Sequence, residues 1–97
     1  MINIAKTLKD TVEIVASDFK ATMTEEGFDT FEEMKSCYDW SSSDVKAEVE
    51  AILKFSTIGS FDCYLSDDGA DIIGCVDVEE ISYRKFMSLV YKRIKEL

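Results

Sequence analysis

The chain contains no histidine and no proline, and it has four glycines and three cysteines among its 97 residues. Without histidine, the sequence lacks the commonest general base and the commonest ligand of zinc, copper and iron. Cys37, Cys63 and Cys75 are odd in number and lack CxxC spacing, so we expect neither a disulfide framework nor a zinc or redox site. These features predict reduced thiols, a cytoplasmic location and no cofactor.

Long apolar runs are also missing. No uncharged apolar segment approaches the roughly 18 residues that a membrane span requires, and charged residues at positions 6, 9, 10 and 13 argue against an N-terminal signal peptide. The material for a core is nevertheless present, because 46% of the residues are hydrophobic and 11% are aromatic. We therefore expect one small folded domain over residues 1–97, with no membrane partner.

Acidic residues are concentrated in the middle of the chain, whose formal net charge is −9. Residues 1–24 contain three acidic and three basic side chains, residues 25–80 contain sixteen and three, and residues 81–97 contain one and five. A segment this anionic repels other anions and attracts basic surfaces. The distribution predicts a protein partner with a basic surface and no direct binding of DNA or RNA.

Apolar spacing predicts three helices in the first half of the chain. A long helix is capped by Asn3 and ends before Gly27, because apolar residues recur there at every third or fourth position. A second helix over residues 31–39 follows a capping box of Thr30 and Glu33. Serines at 41–43 end it, and a third helix covers 44–55. The predicted buried residues are Ile4, Leu8, Val12, Val15, Phe19, Met23, Phe31, Met34, Tyr38, Val45, Val49, Ile52 and Leu53.

From residue 61 the apolar period changes from 3.6 to 2. A tight turn at Asp68-Gly69 pairs Leu65 with Ile72 in a β-hairpin that runs to residue 78, with acids on its outer face. In this register Cys75 lies on the exposed face, whereas Cys37 and Cys63 are expected to be buried. A final helix begins near Ser82, and its predicted buried residues are Tyr83, Phe86, Val90, Ile94 and Leu97.

The predicted fold is α+β, in the order helix, helix, helix, β-hairpin, helix. Over residues 28–78 this order resembles a winged helix-turn-helix, in which the second helix of the motif binds DNA. That helix carries Asp44, Glu48 and Glu50 against two lysines, and the ribbon has no basic residue, so DNA binding by this face is disfavoured. An unrelated α+β arrangement is an equal alternative.

Two acidic patterns resemble reactive sites but lack essential parts. Residues 69–80 match parts of an EF-hand calcium loop, yet Gly69 and Ile73 occupy two ligand positions and have no side-chain oxygen. The adjacent acids at 32–33, 67–68 and 79–80 are expected on solvated surfaces, whereas acid–base catalysis needs carboxyls in contrasting environments. We therefore predict neither a metal site nor an enzyme.

The predicted function is non-enzymatic protein binding, as an inhibitor or adaptor of a nucleic-acid-handling protein. Carboxylates four residues apart on a helix, or two residues apart on a strand, lie about 6–7 Å from one another. This distance is similar to the spacing of phosphates along a nucleic acid, so mimicry of DNA or RNA is a concrete form of the predicted function. Small antagonists of restriction or CRISPR nucleases resemble the chain in size and charge. Candidate partner-binding residues are Glu25, Glu26, Asp29, Glu32, Glu33, Asp39, Trp40, Asp62, Asp67, Asp68, Asp71 and Asp77.

An alternative is a winged-helix-like regulatory or subunit module that uses mainly apolar contacts around Trp40, Tyr64 and Ile73. For Trp40 a core role is favoured over an interface role, because tryptophan is highly buried on average. The sequence leaves open whether the protein is a monomer or a dimer.

Overall fold

The computed structural model describes residues 7–56, 64–75 and 77–97. These residues form four helices and a three-stranded antiparallel sheet, so the predicted α+β class is confirmed. In chain order the elements are α1 (Leu8–Glu26), α2 (Phe31–Cys37), α3 (Ser42–Ser56), β1 (Tyr64–Leu65), β2 (Asp71–Ile73), β3 (Glu80–Ser82) and α4 (Tyr83–Glu96). None of these helices is both long enough and apolar enough to cross a bilayer.

The first helix begins later than predicted and ends where predicted. Thr7 is its N-cap, because the Thr7 hydroxyl accepts a hydrogen bond from the Asp10 N–H at 3.1 Å. Asn3 and Ile4 lie outside the described residues. Gly27 ends the helix in the left-handed conformation (φ 81°), which a residue with a Cβ adopts only at a cost.

The second helix is capped by the residues that the sequence indicated, with one difference. The Thr30 hydroxyl accepts from the Glu33 N–H at 3.1 Å, as in a capping box, but the Glu33 carboxylate accepts from the N–H of Asp29 rather than from that of Thr30. The helix ends at Cys37, two residues earlier than predicted. Asp39 then takes the left-handed conformation at φ 54°, and this conformation breaks the helix.

Serine begins the third helix instead of merely separating two helices. The Asp44 N–H donates to the Ser41 hydroxyl at 3.2 Å, and the Asp44 carboxylate accepts from the Ser41 N–H at 2.9 Å. This reciprocal capping places the start of α3 at Ser42, two residues before the predicted start.

The sheet confirms the predicted register and adds a strand. Leu65 pairs with Ile72, as the Asp68-Gly69 turn requires. However, β2 ends at Ile73 rather than at residue 78, because Gly74 takes a positive φ of 98° that interrupts the strand. The unpredicted β3 pairs Ile81 with Ile72, which makes β2 the central strand. Predicted strand residues 61–63 and 76 lie outside the described residues.

One apolar core joins all four helices to the sheet, and α1 packs chiefly against α4 and α3. The helix stripes predicted from the sequence account for most of the core. Met87 of α4 and Ile81 of β3 are buried additions. The buried hydrophobic residues are Val12, Val15, Ala16, Phe19, Met23, Phe31, Met34, Val45, Val49, Ile52, Leu53, Leu65, Ile72, Cys75, Ile81, Phe86, Met87, Val90 and Ile94.

Leu8 and Tyr83 were predicted to be buried and are only partly buried. Four further burial predictions were wrong, each beyond the end of a regular element or at its last residue. Tyr38 is 39% exposed and Leu97 is 40% exposed, because each follows the last turn of its helix. Cys75 is buried, since it follows the break at Gly74 and no longer obeys the strand alternation. Cys37 is exposed, because it lies about 120° around the helix axis from the buried Phe31. Cys63 lies outside the described residues.

Candidate functional site

Five of the candidate acids come together where α1 ends and α2 begins. We call this surface the acidic corner, and all five of its residues are exposed. The left-handed turn at Gly27 folds the chain back between the two helices, so the last turn of α1 and the first turn of α2 are neighbours. The acidic corner consists of Glu25, Glu26, Asp29, Glu32 and Glu33.

The acidic corner is not neutralised by the basic final helix. Arg93 of α4 pairs instead with Glu13 of α1, with 2.6 Å between Nε and Oε1, and with Glu96 at 3.5 Å. Within the described ranges, no acid of the corner forms an ion pair with a lysine or arginine. Its negative charge is therefore available to a cationic partner.

The helix dipoles act differently on the two halves of the corner. Glu32 and Glu33 lie in the first turn of α2, where the positive end of the dipole favours carboxylates. Glu25 and Glu26 lie in the last turn of α1, which contains no basic residue and presents the negative end of the dipole. These two glutamates therefore oppose the stability of their own helix.

A group of aromatic rings borders the acidic corner. The Tyr38 ring packs against Phe28 with 5.8 Å between ring centroids and against Trp40 with 5.1 Å. The Tyr38 hydroxyl approaches Glu26 Oε1 at 3.4 Å, and partial burial together with the Glu26 charge raises the pKa of Tyr38. Trp40 is half-buried, with its ring 6.3 Å from that of the core residue Phe19.

A groove of about 650 Å³ also opens beside the corner, between α1, α2 and α4. Its apolar lining includes Met23, Phe31 and Ile94, and its polar lining includes Asp29 and Glu32 from the corner. Lys20 and Lys95 line it too, so the charge along the groove is mixed. The groove is therefore a less anionic surface than the corner itself.

The hairpin acids have mainly local roles. The Asp68 carboxylate accepts hydrogen bonds from the Ser66 hydroxyl at 2.6 Å and from the Ala70 N–H at 3.0 Å, and these bonds lower its pKa. Asp71 is half-buried in β2, and Asp67 is exposed in the turn. Asp62 lies outside the described residues. The hairpin thus contributes one acid, Asp67, that is exposed and has no hydrogen-bonding role in the part of the chain that the structure describes.

The remaining two candidate acids support helix ends. The Asp77 carboxylate accepts from the Leu8 N–H at 2.9 Å, so it lies at the beginning of α1, about 27 Å from Glu26 by the rise of the helix. Asp39 is the left-handed residue that follows α2, and the next N–H, that of Trp40, donates to the Lys35 carbonyl at 3.0 Å. The acids of residues 25–80 are consequently distributed over the molecule, and the corner is their densest described group.

The apolar spacing in the sequence did not indicate that Tyr38 lies at the surface. Its spacing from Phe31 and Met34 fits a buried helix face, but α2 ends one residue before it. The polar residues Asp39 and Ser41–Ser43 follow Tyr38 closely and indicate a helix end, so the sequence did contain a sign that the buried helix face stops before Tyr38.

The site contains no arrangement for metal binding within the described residues, where no three Cys, Asp or Glu side chains are placed to hold an ion. Its chemistry is that of exposed carboxylates beside amphipathic aromatic rings, which suits recognition of cations. Searches for similar proteins gave no match: no family model fits the chain, and no curated protein or solved structure is significantly similar to it.

Proposed function

We propose that this protein is a non-enzymatic interaction domain whose acidic corner binds a basic surface of a nucleic-acid-handling protein. The observation that carries the proposal is the position of Glu25 and Glu26: both are exposed, lack a cationic partner among the described residues, and lie at the unfavourable end of the α1 dipole. Local rules of stability are most often broken where a residue serves function.

The neighbouring aromatic rings support the same proposal. Interfaces combine a centre of aromatic side chains with a polar rim, and tyrosine and tryptophan are enriched among the residues that contribute most to binding. Tyr38 is the exposed member of the aromatic group and lies against Glu26. Guanidinium groups bind both aromatic ring faces and carboxylates. The Tyr38 ring and the Glu26 carboxylate therefore offer an arginine of the partner both kinds of contact within one small area.

The concrete form of this proposal is nucleic-acid mimicry, of the kind used by antagonists of restriction or CRISPR nucleases. The exposed carboxylates of the acidic corner replace phosphates, and a basic groove that evolved for DNA or RNA accepts them. Under this proposal the protein blocks its partner by occupying the nucleic-acid site, and DNA should compete for binding.

The test is affinity capture from native lysate with two charge-reversed variants. One carries Glu25→Lys and Glu26→Lys, and the matched control carries Glu48→Lys and Glu50→Lys on α3, where both glutamates are exposed. The net charge changes equally in both. We expect the wild type and the control to retain nucleic-acid-handling proteins that elute with salt, and the corner variant to lose them.

Two results would contradict the proposal. Equal loss from both variants would mean that overall charge, rather than the corner, holds the partner. Retention that does not change between low and high salt would mean that the contacts are apolar. If captured proteins elute with salt but DNA does not displace them, the mimic form is rejected and the basic-surface form is kept.

A second candidate function has one observation in its favour. Tyr64 of β1 is 54% exposed and is paired with the half-buried Ile73 of β2, so the sheet presents apolar side chains outward. A winged-helix-like subunit module would use this face for salt-resistant contacts or for a dimer. Tyr64→Ser should then weaken binding while Glu25→Lys leaves it intact, which is the opposite of the first proposal.

A further inference from the structure

A small pocket of about 240 Å³ lies where α2, the start of α3 and α4 meet. Its charged and polar lining consists of Lys35, Ser42, Arg84 and the phenols Tyr83 and Tyr91, and its apolar lining consists of Val45 and Met87. Among the described residues no carboxylate lines it, although the chain carries twenty acidic residues. A pocket with two cations and no acid stands out in so anionic a protein.

The polar groups of this pocket are donors that lack acceptors. Among the residues described, neither Lys35 nor Arg84 has an ion-pair partner, and neither the Tyr83 nor the Tyr91 hydroxyl has a hydrogen-bond partner. Ammonium and guanidinium groups are donors only, and a phenol or a serine hydroxyl can donate its proton. Five residues that can donate hydrogen bonds thus border one space, and no described carboxylate borders it.

The two phenols remain protonated over the whole physiological range. Burial, and after it the nearby Tyr91 phenol, raises the pKa of Tyr83 to about 12. Burial and then the charge of Glu32 raise the pKa of Tyr91. Both hydroxyls therefore keep a proton that they can donate at neutral pH.

We propose that this pocket binds a phosphoryl group, either as free phosphate or as the phosphate of a small monoester. Two cations match the charge of about −1.5 to −2 that a phosphate monoester carries at neutral pH, and its three terminal oxygens can accept several hydrogen bonds at once. A carboxylate has one charge and is a poorer match. The volume lies below the roughly 300–1,000 Å³ of ordinary ligand pockets, so one small charged group fits better than a nucleotide.

Nearby acids leave the pocket open to an anion. Glu32 lines the larger groove on the other side of Tyr91 and does not line this pocket. The Asp44 carboxylate, in the first turn of α3, is held by the N–H and the hydroxyl of Ser41 at 2.9 and 3.0 Å. The site is separate from the acidic corner, and the proposal does not depend on the one made for that surface.

The test is a titration with inorganic phosphate, exchanged for chloride at constant ionic strength and neutral pH, followed by amide chemical shifts. We expect saturable shifts at Lys35, Ser42 and Arg84. Arg84→Gln should weaken phosphate binding about tenfold, because a hydrogen bond from a charged donor is lost. Lys35→Gln should act similarly. The matched control Lys85→Gln removes an exposed cation from the next position of α4, outside the pocket lining, and should change nothing.

Absence of saturable shifts at these residues, or equal weakening by Lys85→Gln, would overturn the proposal. Acetate at the same ionic strength should bind more weakly than phosphate, and equally tight acetate binding would also overturn it. A parallel titration with glycerol phosphate identifies the source of the group: tighter binding than that of phosphate assigns a monoester, and weaker binding assigns the free ion.

Discussion

At the scale of single residues, many acids of this protein support its backbone. The Glu33 carboxylate accepts from the N–H of Asp29, the Asp68 carboxylate accepts from that of Ala70, and the Asp77 carboxylate accepts from that of Leu8. Each satisfies a donor that a helix start or a turn leaves unpaired. Such residues carry charge for structural reasons, so a count of acids overstates the surface available to a partner.

The ion pair between Glu13 and Arg93 predicts a pH dependence of stability. Hydrogen bonds from Arg93 and then from Ser17 lower the pKa of Glu13 below its usual value of 4.5. Because the folded state holds this carboxylate charged, its contribution is present above the unfolded pKa and is lost as the pH falls through the folded one. Glu13→Gln should therefore lower the urea midpoint at pH 7 and have little effect below the folded pKa.

The control for this experiment is Glu48→Gln, which removes an exposed carboxylate of α3 that has no ion pair in the described structure. Its midpoint should follow that of the wild type at every pH. If Glu13→Gln lowers the midpoint equally at neutral and strongly acidic pH, then the change acts through packing, and the ion pair is not its cause.

At the scale of elements, α1 and α2 make opposite predictions for the same substitution. Replacing Glu25 and Glu26 by glutamine removes charge from the negative end of the α1 dipole and should stabilise the protein by about 1 kcal/mol at low salt. Glu32→Gln removes charge from the favourable end of α2 and should destabilise it slightly. Urea unfolding at low salt measures both, and a loss of stability in the first variant would refute this account.

Lys46 connects three elements through one side chain. Its ammonium donates to the Gly69 carbonyl of the hairpin turn at 2.8 Å and lies 4.7 Å from the centre of the Tyr83 ring of α4. Lys46→Met should cost about 2 kcal/mol of local stability, because it removes a charged donor and a cation–π contact.

Amide hydrogen exchange provides the measurement for this prediction. Exchange at Asp71 and neighbouring hairpin amides should accelerate in Lys46→Met, whereas buried amides of α1 should change little. Lys85→Met, on the exposed side of α4, provides the control. Uniform acceleration across the protein would indicate a global loss of stability rather than a loosened hairpin.

Element types were predictable from the sequence, whereas element ends were less so. Periodicity identified the buried stripes of α1, α3 and α4, and Leu65 with Ile72 fixed the register of the hairpin. The unpredicted β3 is three residues long, which is too short to show alternation. The error at Cys75 has another origin, because the alternating strand pattern continues in the sequence after the backbone has left the strand at Gly74.

At the scale of the whole molecule, the site was less predictable than the fold. The sequence identified the charge of residues 25–33 but could not indicate that Asp77 lies at the far end of α1, since that position depends on packing of distant segments. The pocket of Lys35, Ser42 and Arg84 could not be predicted from the sequence either, because its residues come from three separate elements.

The net charge of −9 predicts that salt stabilises the folded protein. Repulsion among unpaired carboxylates opposes the compact state, and raising the salt from about 10 to about 150 mM shortens the screening length from about 30 to about 8 Å. The urea midpoint should rise over this range with an unchanged m-value. The rise should be smaller in the variant with Glu25→Gln and Glu26→Gln, and a falling midpoint would contradict the prediction.

The junction of β3 and α4 has a mechanical consequence. Ser82 is both the last residue of β3 and the N-cap of α4, and the next N–H, that of Tyr83, donates to the Ala70 carbonyl at 2.7 Å. Because no residue separates the strand from the helix, a tilt of the sheet moves the first turn of α4 with it. A force applied at the hairpin tip would therefore be transmitted directly to α4.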